Sequence, residues 1–400
     1  MGFRMVQSVP RLCSPIKAVS KIKRGTLAVT LQKNQKLASK NIYFTVTNDL
    51  KFDQRMHRIC GSLANSGYDI VLVGRSLPDS KPLNSSPFKQ VRLNCWFKKG
   101  KGFYAEYNLR LFFFLLFKKM DGICAIDLDT ILPCLFISKL KSIQRVYDAH
   151  ELFCEMKEVV TRPAIYHIWK KIEKYAVSKF KNGYTVSNPI AEEFKKMYDV
   201  NYEVIRNVPL LQDFTPTIKT ERFILYQGAV NEARSFETLI PAIKNVNATL
   251  IICGDGNFMQ QAKDLVTKNE LGQKIIFKGM ISPDELKNYT QSAYIGVTLF
   301  ENTGMSNYYS LGNRFFDYIQ SGLPQICVNY PAYKEINDEY KIATLIDDLK
   351  PETISNALNN LLANDVLYAE LQSNCMKARE IFNWQREEQK LVHFYNQLFS

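Results

Sequence analysis

Histidine is scarce in this chain, occurring only at positions 57, 150, 167 and 393 of 400 residues. Three of these fall inside helical patterns. His150 alone follows a strand-like run, in Arg145-Val-Tyr-Asp148-Ala-His150-Glu151, which sets one imidazole and two carboxylates at the carboxyl edge of a sheet. A second cluster is cationic. Gln227-Gly228-Ala-Val-Asn-Glu-Ala-Arg234 follows another strand-like run, and Leu311-Gly312-Asn313-Arg314 opens a helix. Together they offer peptide N–H groups, a helix dipole and two guanidinium forks, the chemistry that cradles a diphosphate.

Other groupings carry less. Asp127-Leu-Asp129 has carboxylates spaced for a divalent cation, but with no third ligand identifiable it reads as a helix cap. Cys253-Gly254-Asp-Gly256 lacks the third glycine of a dinucleotide fingerprint and reads as a tight turn. No serine sits in Gly-x-Ser-x-Gly and no cysteine lies beside a histidine motif, so a hydrolase triad has no support.

The elements that must position these residues alternate strand and helix. Ile42–Thr47 reads as a strand, Met56 to Ala64 as a helix stopped by Gly67, and Ile70–Val73 as a second strand. Tyr104–Met120 reads as a helix, Ile123–Ile126 and Arg145–Tyr147 as strands, and 164–180 as a long helix. A second series starts at Phe223. It runs through strands at 249–253, 274–278, 294–299 and 325–328, with helices at 236–243, 258–268 and 313–320. Ser282-Pro-Asp-Glu285 is a capping box that announces a helix, and further helices follow Pro351 and Trp384. This predicts an α/β fold of two Rossmann-like parallel-sheet domains facing each other across a cleft, with ligands outside the carboxyl ends of strands. The boundaries expected are a basic extension 1–40, an N-terminal domain 41–206, a linker 207–220, a C-terminal domain 221–383 and a crossover helix 384–400.

Composition limits the classes. A hydrophobic fraction of 46% with 23% charged residues describes a folding chain of two ordinary domains. Nine scattered cysteines without a Cys-x-x-Cys pair disfavour a disulfide framework or zinc ribbon and fit a reducing, cytoplasmic setting. Residues 1–40 hold nine Lys or Arg and no acid, which accounts for most of the net charge of +13. Without aromatic interleaving beyond Phe3, that arm argues against a nucleic-acid partner. The longest apolar run, Leu111–Phe117, is too short to span a bilayer. Being apolar all round, it reads first as a helix buried against the sheet, and second, with Arg110, Lys118 and Lys119 beside it, as a peripheral membrane contact.

These motifs, in this order, resemble the retaining GT-B-fold glycosyltransferases of family 4, over nearly all of 41–400. The resemblance rests on Val146–Glu151, Tyr226–Val230 with Arg234, Gly254-Asp-Gly256, Phe277-Lys-Gly279 and Leu311–Tyr318 with Gly322-Leu-Pro324. It implies sugar transfer from a UDP-sugar or GDP-sugar, without a metal or other cofactor, to a glycan or lipid-linked saccharide acceptor in polysaccharide biosynthesis. Arg234 and Arg314 match the basic pair that neutralises the diphosphate, and Asp317 matches the ribose-binding carboxylate. His150 matches the histidine lying against the donor sugar. Gly228, Gly254, Gly312 and Asn313, with the peptide groups around Met280, would complete the nucleotide site.

The chain also departs from the family pattern. Tyr309 stands where the first acid of the paired-glutamate motif is expected, Asp317 is one methylene shorter than the usual second acid, and the loop 48–55 lacks glycines. Arg55 and Arg58, at a helix start, are expected to receive an anionic acceptor. The alternatives are a sugar-nucleotide epimerase or hydrolase on the same fold, and a non-catalytic sugar-nucleotide-binding protein.

Overall fold

The computed structural model describes residues 39–51, 53–213, 219 and 221–400. Most of the basic extension, and residues 214–218 and 220 of the expected linker, lie outside the described residues.

Buried β-branched and aromatic runs build two parallel sheets, each covered by helices on both faces, as strands apolar on both sides require. In the first, β1 (Asn41–Thr45), β2 (Asp69–Arg75), β3 (Lys89–Leu93), β4 (Gly122–Ile126), β5 (Gln144–Ala149), β6 (Asn182–Thr185) and β7 (Glu203–Val204) lie in the order β3-β2-β1-β4-β5-β6-β7. In the second, β8 (Ile224–Gln227), β9 (Leu250–Cys253), β10 (Ile275–Gly279), β11 (Ile295–Thr298), β12 (Gln325–Val328) and β13 (Ala343–Ile346) run β10-β9-β8-β11-β12-β13. This is the two-domain, Rossmann-like architecture expected. In each sheet the order reverses once, between β1 and β4 and between β8 and β11. Ligands in such sheets sit at that reversal, where loops leave in opposite directions and open a crevice.

The last helix, Trp384–Phe399, follows the second series in sequence but packs on the first sheet. Trp384 Nε1 donates to Ser62 Oγ at 3.0 Å, and Tyr395 is buried against Phe44 and Tyr184. A Cβ on Gly122 of β4 would lie 2.6 Å from the Phe399 ring, so a larger residue there would displace that ring.

The helix Gly100–Leu116 corrects the expectation of a fully buried apolar run. Phe103, Tyr107, Leu111 and Leu115 face the core, while Leu109, Phe113 and the following Phe117 are exposed at i, i+4 and i+8. Trp96 and Phe97, at 84% and 57% exposure, extend this surface in the preceding loop. Among the described residues, no helix is long and apolar enough to cross a membrane.

Candidate functional site

A cleft of about 700 Å³ opens between the two sheets, lined by the loops after β1, β5, β8 and β11. Its cationic wall comes from the second sheet. Arg234 lies in the β8 loop between Ala233 and Ser235, both non-glycine residues with left-handed backbones (φ 61° and 62°), conformations that persist only where surroundings enforce them. Arg314 sits in the first turn of the helix Asn313–Gln320. The two guanidiniums share one ring: the Arg234 carbon is 4.6 Å from the Phe300 centroid and the Arg314 carbon 5.4 Å. Arg314 also lies 4.1 Å from the Tyr226 centroid. Aromatic faces stabilise cations without neutralising them. Among the described residues neither arginine has a carboxylate in ion-pair range, and Arg314 Nη1 is buried without a hydrogen-bond partner. Burial and the neighbouring Arg314 lower the pKa of Arg234. Such a wall complements a polyanion.

Gly228 and Gly312 line the cleft with Asn313 and Asp317. Gln227, the last residue of β8, is buried, accepts from Thr290 Oγ1 at 2.8 Å and donates to Asp317 Oδ2 at 2.9 Å. Burial pushes the Asp317 carboxyl up to about 6, against the lowering effects of Arg58, Gln227 and Arg314. Gly254 plays a different part from the one expected: it is not among the lining residues, and its φ is +146°. A Cβ there would lie 1.8 Å from the Gly228 carbonyl oxygen, so Gly254 lets the β9 turn support the β8 loop from beneath. Met280 does not line the cleft either, and its side chain is 78% exposed.

The first sheet contributes a network around His150. The peptide N–H of His150 donates to Asp127 Oδ1 at 2.9 Å, and its Nδ1 lies 3.2 Å from Asp127 Oδ2. Asp127 adopts φ 53°, ψ 178°, a region nearly exclusive to glycine, and this turns its carboxylate onto the imidazole. The expected helix cap is corrected, since neither the turn Leu128–Thr130 nor the helix Ile131–Lys141 that follows has a side-chain capping hydrogen bond. Asp129 accepts from Thr47 Oγ1, and burial together with Asp127 raises it to about 7. Two contacts meet at His150 Nε2 and pull opposite ways: Arg55 Nε at 2.9 Å and Asp148 Oδ2 at 3.3 Å. The first favours the neutral ring and the second the charged one. Burial also favours the neutral ring, but Asp127 and Asp148 together outweigh burial and Arg55 and raise the pKa to about 10. Both ring nitrogens are thus engaged by the protein.

Arg55 and Arg58 both line the cleft. Arg55 is only 5% exposed and its Nη2 pairs with Asp148 Oδ1 at 2.8 Å, so its charge is committed within the protein, while Arg58 donates to Asn207 Oδ1 and faces Asp317. Tyr309 is not among the lining residues, and its ring packs against the apolar core of the first sheet. Among the described residues no group of three His, Cys, Asp or Glu side chains is arranged to hold a metal ion. Sequence reasoning did not single out Phe300 or Ser306, and it did not find the partners of Gln227 or Asp127, which come from other elements of the fold.

Residues 211–380 match the family described as glycosyl transferases group 1. An uncharacterised glycosyltransferase of Methanocaldococcus jannaschii is 23% identical over 180 residues, 44% of this chain and 45% of that relative, so the match spans under half of either protein. Among solved structures, the sucrose-phosphate synthase of Thermosynechococcus elongatus superposes with a TM-score of 0.76 at 17% identity, covering 90% of this chain and 99% of that one. The Anabaena protein HepE, solved with UDP and glucose, gives 0.69 at 12% identity over 90% and 100%. The chain therefore has the two-domain GT-B fold of these neighbours, and its C-terminal half matches glycosyl transferases group 1.

Proposed function

We propose that this chain is a retaining hexosyltransferase that moves a sugar from a nucleoside diphosphate donor to a glycan or lipid-linked acceptor, without a metal. The observation that carries the reading is the pair Arg234 and Arg314, both held against the Phe300 ring, without carboxylate ion-pair partners among the described residues, beside an open helix start. As the sugar–phosphate bond breaks, charge accumulates on the departing diphosphate. Two prepositioned guanidiniums and the Gly312–Arg314 peptide groups stabilise that charge more than the ground state, which is the requirement for catalysis. They supply the cationic function otherwise left to a divalent ion. Asp317, with its free lone pairs, accepts from the ribose hydroxyls. The neighbour holding UDP and glucose supports a uridine donor as the first candidate.

His150 is a poor base for the acceptor, because the protein already engages both ring nitrogens, Nδ1 through Asp127 and Nε2 through Arg55 and Asp148. The reading is a front-face substitution. The C1–O bond to the β-phosphate breaks, the acceptor oxygen bonds to C1 from the same face, and the acceptor proton passes to the departing phosphate oxygen. Calorimetric titration with UDP and GDP tests the site. One of them binds the wild-type chain, and Arg314→Lys, which keeps the charge but loses the fork, weakens it about tenfold. No binding of either would refute the reading, and turnover of donor without any acceptor would replace it with a hydrolase or epimerase.

The exposed stripe Leu109, Phe113 and Phe117, with Trp96 and Phe97, has the exposed Lys98, Lys99, Lys101 and Lys119 around it. An apolar surface ringed by lysines complements an anionic bilayer. This supports peripheral docking where lipid-linked acceptors reside.

A further inference from the structure

Three observations meet at one carboxylate. Tyr309 occupies the position where an acid was expected to hold the donor sugar, and its half-buried ring packs against the first sheet's core and does not line the cleft. His150 has both ring nitrogens engaged by Asp127, Asp148 and Arg55, so it offers the sugar no free polar atom of its ring. Glu151, the next residue, lines the cleft, faces Arg234 electrostatically across it, and among the described residues accepts a single hydrogen bond, from Ser306 Oγ at 3.2 Å. A carboxylate offers about four lone-pair sites. Ser306 uses one, and the remainder point to a ligand.

We infer that Glu151, delivered by the first sheet, binds hydroxyl groups of the donor sugar in place of the acid that Tyr309 has replaced in the second. The inference rests on the proposed donor site. Ser306 precedes the diphosphate-binding helix in the same loop, so its bond to Glu151 joins the two sheets directly beside the place where the sugar must lie. The sugar is then gripped from the opposite wall to the nucleotide, and closure of the two sheets becomes a condition for sugar recognition. The class of ligand group follows as well. A cleft-lining carboxyl with acceptor sites to spare is met by hydroxyl donors, so the site takes a hexose with free hydroxyls on that side.

The test is calorimetry of wild type, Glu151→Gln and Glu151→Ala with UDP and UDP-glucose, and with GDP and GDP-mannose, alongside turnover of the sugar nucleotide that binds. Both variants keep the nucleoside diphosphate within about twofold, which also shows that they fold. They weaken the sugar nucleotide about tenfold or more, the scale of a hydrogen bond to a charged group. Unchanged sugar-nucleotide affinity in both variants would overturn the role of Glu151 while leaving the diphosphate site intact. A fall in turnover with unchanged binding would overturn it too, by assigning Glu151 to proton transfer. Absence of diphosphate binding in the wild type would remove the donor site itself, and this inference with it.

Discussion

Arg55 and Asp148 form an ion pair closed to solvent, with Nη2 and Oδ1 2.8 Å apart and side chains 5% and 0% exposed. The pair lies directly under His150 and joins the helix Gln54–Asn65 to β5. Its value to the fold is the avoidance of an isolated buried charge. Replacing one partner leaves the other uncompensated, which is costlier than removing both.

Arg55→Met is therefore expected to destabilise the protein by about 3–5 kcal/mol. Chemical denaturation would measure this. The double variant Arg55→Met, Asp148→Leu should recover a large part of the loss, and a cost for Arg55→Met near zero would contradict the burial of the pair.

Gly254→Ala is expected to disturb the β8 loop from below, because its Cβ would fall 1.8 Å from the Gly228 carbonyl oxygen at a φ of +146°. Overpacking and strain of this kind cost about 1–3 kcal/mol each. Thermal unfolding should show the loss, and UDP or GDP binding should weaken because Gly228 would move toward or away from Arg314. Normal stability with normal binding would show that the turn yields freely.

Asp317 gives a pH dependence. Burial raises its carboxyl from 3.8 to about 6, so the folded state holds the proton more firmly than the unfolded chain. The corresponding stability is complete below pH 3.8 and is lost as pH rises through about 6. Relative to Asp317→Asn, the wild type should lose on the order of 1–3 kcal/mol between pH 4 and pH 7. Denaturation midpoints of both proteins across that range would show the divergence, and parallel curves would place the carboxylate in water.

The exposed stripe predicts binding to vesicles. The wild-type chain should co-sediment with phosphatidylcholine vesicles containing phosphatidylserine and less with phosphatidylcholine alone. Phe113→Ser with Phe117→Ser should abolish most of it without changing the melting temperature, since both rings are exposed. Equal sedimentation by the double variant would remove this face from the docking model.

Much of the fold was legible because it is written in local pattern. The helix Asn313–Gln320 and the strand Gln325–Val328 have the ends read from apolar spacing and Gly322, and Ser282 caps its helix by accepting from the Glu285 N–H. What escaped was short, peripheral or polar. β3, β7 and β13 lie at sheet edges, where half-buried strands lose the apolar run that marks β4. In the site, both arginines could be read because a strand-end glycine and a helix start flag them. Phe300 could not, since it looks like ordinary core until both guanidiniums are laid on its ring. Arg55 looks like a surface charge in the sequence, and its partner Asp148 is 93 residues away. Asp127 takes up a backbone conformation that nothing in its neighbours announces.

The helix Trp384–Phe399 also has a bearing on how the chain is made. Domains emerging from the ribosome fold in order, the first before the next is complete. Here Trp384, Leu391 and Tyr395 belong to the core of the first sheet, and Phe399 fills the space above Gly122. That core stays unfinished until every strand of the second sheet has been synthesised. During translation the first domain thus presents an open apolar face, which chaperones can hold and which closes only when this helix arrives.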